Sequence, residues 1–416
     1  MKLVVHPSAL HGHITPPPSK SITHRALICA AFAGGKSRLH NPLLSADTAE
    51  TIEVLKKMGC EFSFFENSVD IDGSRIVREK HKCFKILESA STLRMLLPFM
   101  MSFYEDVTIK TSARMIERVQ TADLAALDWN FEFHPEQIIV RRGEFQMPYR
   151  LNTNLTTQWL SGMILALPFY PEGTSLISDL PLRDNPYPYL TIKTGMDFGI
   201  EYTLDQNMIR LGNSSSYQGR DYVIEADYSS AIFWLGASYL HPGLSVNGLN
   251  PQSCQADAAY FSLLKTLGVN YLYQNSDFVY ESGKIGSGSI DISKTPDLFP
   301  ILVALASLGA GKIEIRGVEK LKYKESNRIQ AMVGGIKRMG GKIKKTTTGL
   351  TVYGVRELRG GTEIETFNDH RIIMAFSILA SVCKRACVLN QFTGIQKSYP
   401  DFFNEFQRLG GKAEVI

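Results

Sequence analysis

The sequence predicts an α/β protein of two domains, each built from three repeated units of helices and β-strands. Three observations carry this. Helical segments end at a near-constant interval, a second set of helices is apolar nearly all round, and short strand-like runs follow most of them.

The interval comes first. The stretches "KKMGCEF", "LDWNFEF", "MDFGIEY", "KTLGVNY", "KRMGGKI" and "QRLGGKA" each close an apolar, helically spaced segment with glycine or asparagine. Such residues tolerate the left-handed conformation that ends a helix. The break residues Gly59, Asn130, Gly199, Gly268, Gly340 and Gly410 lie 71, 69, 69, 72 and 70 residues apart. Six repeats of about 70 residues account for the chain.

Each repeat carries a second helix. "HRALICAAFAGG", "TLRMLLPFMMSF", "TQWLSGMILALP", "SAIFWLGASYL", "DLFPILVALASLGAG" and "HRIIMAFSILAS" lack a polar face, as buried helices do. Runs such as "GKIEIRG" and "ACVLNQ" then read as strands. Central apolar helices covered by sheets and outer helices are expected in each domain.

The totals restrict the function. The 416 residues are 44% hydrophobic and 21% charged, with a formal charge of +4. That mild charge suits small acidic substrates and gives no expectation of nucleic-acid binding. The opening "MKLVVHPSALHGH" has no signal-peptide apolar region, and runs such as "WLSGMILALPFYP" are too short for a bilayer. Six cysteines without framework spacing fit a reducing cytoplasm, and the Cys383/Cys387 pair lacks further ligands, so no metal is expected.

Chemistry gathers where the buried helices begin. There stand Lys20-Ser21 with Arg25, Ser89 to Thr92 with Arg94, Thr156-Thr157-Gln158, Asp227 to Ser230, Thr295-Pro296-Asp297, and Asn368-Asp369-His370-Arg371. Ser, Thr, Asp and Asn cap helices, which explains part of the pattern. Helix N-termini also attract oxyanions, and added Lys and Arg supply full charge and a bidentate fork. A second basic group precedes the outer helices: Arg114 and Arg118, "KYKESNR" at 322–328, and Lys397. If a helix starts near Glu325, then Glu325 and Arg328 could form only an i,i+3 surface pair. "GAGK" at 309–312 lacks the P-loop Ser/Thr and precedes a strand, and His11-Gly12-His13 reads as an exposed turn.

"PPSKSITHRAL", "ESASTLRMLLP", "KYKESNRI", "FNDHRIIMAF" and "QKSYPDFF", in this order, resemble the motifs of the EPSP synthase (3-phosphoshikimate 1-carboxyvinyltransferase) family. The resemblance implies an enolpyruvyl-transferase-like fold: residues 1–18 plus 226–416 as the C-terminal domain, 19–225 as the N-terminal domain, and an active site in the cleft between them. It implies transfer of the enolpyruvyl group of phosphoenolpyruvate to the 5-hydroxyl of shikimate 3-phosphate by addition and elimination. No metal or organic cofactor is called for, and a monomer is expected.

By matching motif, the resemblance assigns shikimate 3-phosphate to Lys20, Ser21, Arg25, Thr156, Thr157, Gln158, Tyr187, Asp297 and Lys324. Phosphoenolpyruvate falls to Lys20, Ala90, Ser91, Arg118, Gln158, Lys324, Arg328, His370, Arg371 and Lys397. Asp297 is the implied proton acceptor and Glu325 the implied proton donor, with Lys20 beside the reaction. Lys324 and Arg328 favour an ionised Glu325, whereas a donor must be protonated, and bound phosphoenolpyruvate would neutralise those bases.

Some positions depart from the family pattern. Ala90 replaces a usual glycine, so its methyl should crowd the longer phosphonate glyphosate more than the substrate. Thr156-Thr157 replaces Ser-Ser and keeps the hydroxyls, and Glu88 stands where many members have asparagine. Asp184 falls where a serine normally meets the shikimate phosphate, leaving that contact to Asn185 and Tyr187 or to another alignment. The sister reaction on UDP-N-acetylglucosamine is the nearest alternative, but it goes with Lys-Asn at the first helix and a loop cysteine near Arg118, whereas this chain has Lys20-Ser21 and no cysteine between Cys83 and Cys254. A non-catalytic anion-binding scaffold would be expected to lose Asp297 and Glu325.

Overall fold

The computed structural model describes residues 2–120, 124, 127, 129–143, 148–153, 156–213 and 215–416. Its strands form six four-stranded sheets, and all six repeat one pattern: a parallel pair extended by two antiparallel pairings. In one of them Glu79–Lys85 and Tyr104–Lys110 run parallel, Gln137–Arg142 joins antiparallel, and Trp129–His134 closes the edge. A parallel pair needs a crossover, supplied here by the apolar helix Ala90–Phe103. Ala113–Gln120 is the outer helix of that repeat.

Contacts divide the chain into two compact units. One is discontinuous, Met1–Pro17 with Ala226–Ile416; the other is continuous, Pro18–Glu225. In the continuous unit the buried helices Lys20–Ala31, Ala90–Phe103 and Gln158–Ala166 pack on one another. Gly162 permits a close approach: a Cβ there would lie 2.3 Å from the Arg94 carbonyl oxygen. That carbonyl is the one a residue at position 98 would normally bond within the helix, and Pro98 has no N–H to do so.

In the discontinuous unit Tyr228–Leu240, Phe299–Ser307 and His370–Ala380 form the centre of one apolar core. The outer helix Arg328–Arg338 packs on it through Gly335, where a Cβ would meet the Phe376 ring at 2.1 Å. Strand Lys2–His6 lies antiparallel between Cys387–Asn390 and Lys412–Val415, completing the sheet of the sixth repeat. In the continuous unit Asp221–Val223 pairs in parallel with Lys36–His40.

Two expectations are corrected. Gly59, Gly199, Gly268, Gly340 and Gly410 do take positive φ, but Asn130 lies inside strand Trp129–His134 and caps nothing. Asp128 of that stretch lies outside the described residues. His11-Gly12-His13 is no turn: Gly12–Ile14 is a strand parallel to Leu244–Asn247, and His13 Nδ1 lies 2.7 Å from Ser245 Oγ.

Candidate active site

In the discontinuous unit the helix after "KYKESN" starts later than the spacing suggested. Lys324 is extended, Asn327 caps the helix by accepting from Gln330 N at 3.2 Å, and Arg328 is its first residue. A surface pair between Glu325 and Arg328 is therefore excluded, because Arg328 is only 1% exposed. Its Nη2 donates to Glu325 at 2.7 Å, its Nη1 to Asp297 at 2.7 Å, and its Nε to Asp369 at 2.8 Å.

Asp297, on the turn Pro296–Leu298, gathers two more cations. Arg371 Nη2 lies 3.0 Å from Oδ2, and Lys324 Nζ lies 3.3 Å from Oδ1. Burial works to raise the Asp297 carboxyl; Arg371, Lys324 and Arg328 overcome it and hold the group well below the usual carboxylate range. Burial likewise opposes the Arg328 charge, and Asp369, Glu325 and Asp297 more than restore it. Asp369 caps the helix of His370 by accepting from Arg371 N at 3.0 Å, and takes Ser326 Oγ at 3.0 Å. His370 is buried at that helix start, and Lys397 ends the nearby turn Thr393–Lys397, half-buried.

In the continuous unit the first buried helix begins at Lys20, capped by Ser19. Lys20 Nζ contacts Asp47 at 2.8 Å, with both side chains mostly buried. Arg25 is buried beneath that helix start. Its Nη1 donates to the Ser21 carbonyl at 2.7 Å, its Nη2 to the Tyr187 carbonyl at 3.3 Å, and its Nε to Thr191 at 2.8 Å. Desolvation lowers its pKa to about 10, so it remains a cation at neutral pH.

The second and third helix starts meet through one amide. Gln158 Nε2 donates to Ser91 Oγ at 2.8 Å, and Arg94 Nη1 donates to Gln158 Oε1 at 2.8 Å. Arg94 Nη2 also donates to the Arg118 carbonyl at 2.9 Å, inside helix Ala113–Gln120, so Arg118 lies within that helix and does not precede it. Ala90 opens its helix and is buried, behind the Ser89 cap. Thr156 Oγ1 accepts from Gln158 N at 3.2 Å, and Thr157 is the N-cap residue. Asp184 is exposed, whereas Asn185 is buried and its side-chain nitrogen has no hydrogen-bond partner among the described residues, favouring Asn185 as the inward group.

Sequence reading passed over two carboxylates here and saw a third only as a cap. Asp47 lies 27 positions from Lys20, in the first turn of another helix, where it looks like an ordinary helix-dipole residue. Glu50 accepts from the N–H groups of Leu87, Glu88 and Ser89 at 3.2, 3.1 and 3.0 Å, tying down the second helix start. Asp369 passed as a cap, which it is, although the same oxygens also hold Arg328.

Such a fold defines a six-repeat α/β protein with bases and carboxylates concentrated at the starts of its buried helices. The fold is that of EPSP synthase from Acinetobacter baumannii, two structures of which superpose with TM-scores of 0.77 and 0.76 at 22% and 21% identity, covering 100% of both chains. Proteins named 3-phosphoshikimate 1-carboxyvinyltransferase are similar in sequence: that of Clostridium kluyveri is 30% identical over 100% of this chain and 99% of its own. That of Clostridium botulinum is 31% identical over 98% and 97%. Residues 4–406 match the family described as EPSP synthase (3-phosphoshikimate 1-carboxyvinyltransferase). The chain belongs to this family of transferases.

Proposed function

We propose that this chain transfers the enolpyruvyl group of phosphoenolpyruvate to the 5-hydroxyl of shikimate 3-phosphate, releasing phosphate, in aromatic amino-acid biosynthesis. The family supports the reaction. The observation that carries the residue roles is Asp297, a mostly buried carboxylate held by Arg328, Arg371 and Lys324, with Glu325 on the same Arg328 fork.

The two substrates together carry two phosphates and two carboxylates, which compete for these cations. Drawing Arg371 and Lys324 away from Asp297 raises its basicity at the moment a base is needed. Asp297 then takes the hydroxyl proton as the 5-oxygen bonds to C2 of phosphoenolpyruvate, and Glu325 protonates the methylene carbon. The resulting tetrahedral adduct loses a methyl proton as its C–O bond to phosphate breaks. Lys20, Ser21, Arg25, Thr156, Thr157, Gln158 and Tyr187 serve shikimate 3-phosphate in this reading. Ala90, Ser91, Arg118, His370 and Lys397 serve phosphoenolpyruvate with the bases named above.

Phosphoenolpyruvate brings its own activated group, so the reaction runs without metal or organic cofactor. Among the described residues no cluster of His, Cys, Asp or Glu is arranged for a metal, and no helix is long and apolar enough to cross a membrane. A cytoplasmic monomer is part of the same proposal. The test is phosphate release from phosphoenolpyruvate with shikimate 3-phosphate, against the same assay with UDP-N-acetylglucosamine. Release with the second acceptor alone overturns the reading.

A further inference from the structure

Behind the Arg371–Asp297 contact lies a carboxyl that the mechanism does not use. Asp257 sits on the turn Ala256–Ala259 and is 1% exposed. Its Oδ2 accepts the Ser229 hydroxyl, while its buried Oδ1 has no hydrogen-bond partner among the described residues. The turn is fixed to the adjoining helix start by Gln255, whose Oε1 accepts from Tyr228 N at 3.1 Å and whose Nε2 donates to Ala226 O at 2.8 Å. Ser229 faces both ways: its hydroxyl holds Asp257, and its carbonyl receives Arg371 Nη1 at 3.0 Å.

We propose that Asp257 is a positioning residue that holds the Arg371 fork through Ser229 and whose own charge tunes how strongly that fork attracts phosphoenolpyruvate. The proposal rests on the functional reading above. A buried carboxyl with one donor and one bare oxygen is poorly stabilised as an anion. The charged groups that act on it are Asp297, Arg371 and Asp227. Burial first, and then Asp297, push it up to about 6; Arg371 and the Ser229 hydroxyl pull the other way. Below that pH Asp257 is neutral, and Arg371 offers its charge to an incoming anion with one fewer negative neighbour. Above it the added charge opposes anion capture.

The experiment compares wild type, Asp257→Asn and Ser229→Ala. Infrared difference spectra between pH 5 and 7, without substrate, should show a protonated carboxyl lost in the wild type and missing in D257N. The pH profile of kcat/KM for phosphoenolpyruvate should lose one inflection in D257N, while the substrate's own phosphate titration stays common to both. In S229A the inflection should move to higher pH, because the carboxylate has lost the hydroxyl that donates to it. That variant keeps the test available if D257N does not fold. A purely structural role would lower activity without moving either profile, and that result overturns the proposal. A wild type that shows the infrared change but releases no phosphate with shikimate 3-phosphate would overturn the functional reading and leave the Asp257 titration standing.

Discussion

Replacing Asp369 by asparagine should loosen the charge cluster of the discontinuous unit without touching a cap. Asn and Asp cap helices about equally well, so the Arg371 N–H keeps an acceptor. What is lost is the carboxylate that receives Arg328 Nε at 2.8 Å and Nη2 at 3.3 Å. One oxygen becomes an NH₂, which must face donors already pointing at it. A hydrogen bond to a charged group contributes roughly 1.5–3 kcal/mol, and removing one partner of a buried ion pair costs roughly 3–5 kcal/mol. Asp297 and Glu325 still hold Nη1 and Nη2, which places the loss near the overlap, about 3 kcal/mol. With a urea m-value of about 2–3 kcal/mol/M for a unit of this size, the midpoint should fall by roughly 1 M. Trp234, buried in this unit and bonded to Tyr399 at 3.1 Å, is the reporter, once Trp129 and Trp159 are replaced by phenylalanine. A D369N midpoint within about 0.2 M of wild type would refute the idea that Arg328 depends on this carboxylate.

Other consequences can be checked separately. His24 is buried against Thr51, and burial lowers its pKa to about 3. Its contribution is full above the unfolded value near 6.5 and is lost as the pH falls toward 3, so the continuous unit should lose about 2 kcal/mol between pH 7 and 5. His24→Gln should abolish that part of the acid sensitivity in pH-dependent urea melts; an unchanged slope contradicts it. Gly335→Ala should cost about 1–3 kcal/mol by pushing Phe376, and should lower kcat/KM for phosphoenolpyruvate by displacing Arg328. Its neighbour Gly334 has open space, so Gly334→Ala should instead stabilise by up to about 1 kcal/mol; equal melting shifts in the two variants would refute the contact. Ala90→Gly should raise sensitivity to glyphosate with little change in KM for phosphoenolpyruvate. An unchanged inhibition constant would remove the steric explanation.

Repetition made the fold legible. Glycines that must adopt positive φ recur at Gly59, Gly199, Gly268, Gly340 and Gly410, and buried helices betray themselves by having no polar face. Asn130 broke the rule because asparagine is tolerated in a left-handed cap but does not require one, so its residue type alone could not exclude a strand. The bases of the site were legible because they cluster at helix starts. Their carboxylate partners were not: Asp47 meets Lys20 across 27 residues and Asp369 meets Arg328 across 41, distances set by helix packing alone. Asp257 gave no sign at all, since its neighbours arrive from three other stretches of chain.

The sheet completed by Lys2–His6 bears on how the protein is made. Val4 pairs with Val388 and Glu414, so this strand is made well before its partners and waits for them across almost 400 residues. The segment 18–225 contains every partner its three sheets require and can fold while translation continues. Once it has, Ser19 N and Glu225 O are held at 2.8 Å, and the waiting strand is effectively spliced to Ala226, across a gap shortened by half. On a logarithmic closure cost the gain is under about 1 kcal/mol, so the benefit is in timing more than in stability. A nascent chain stalled near residue 380 should therefore hold one finished body and one open sheet edge, the state in which a chaperone would be needed most.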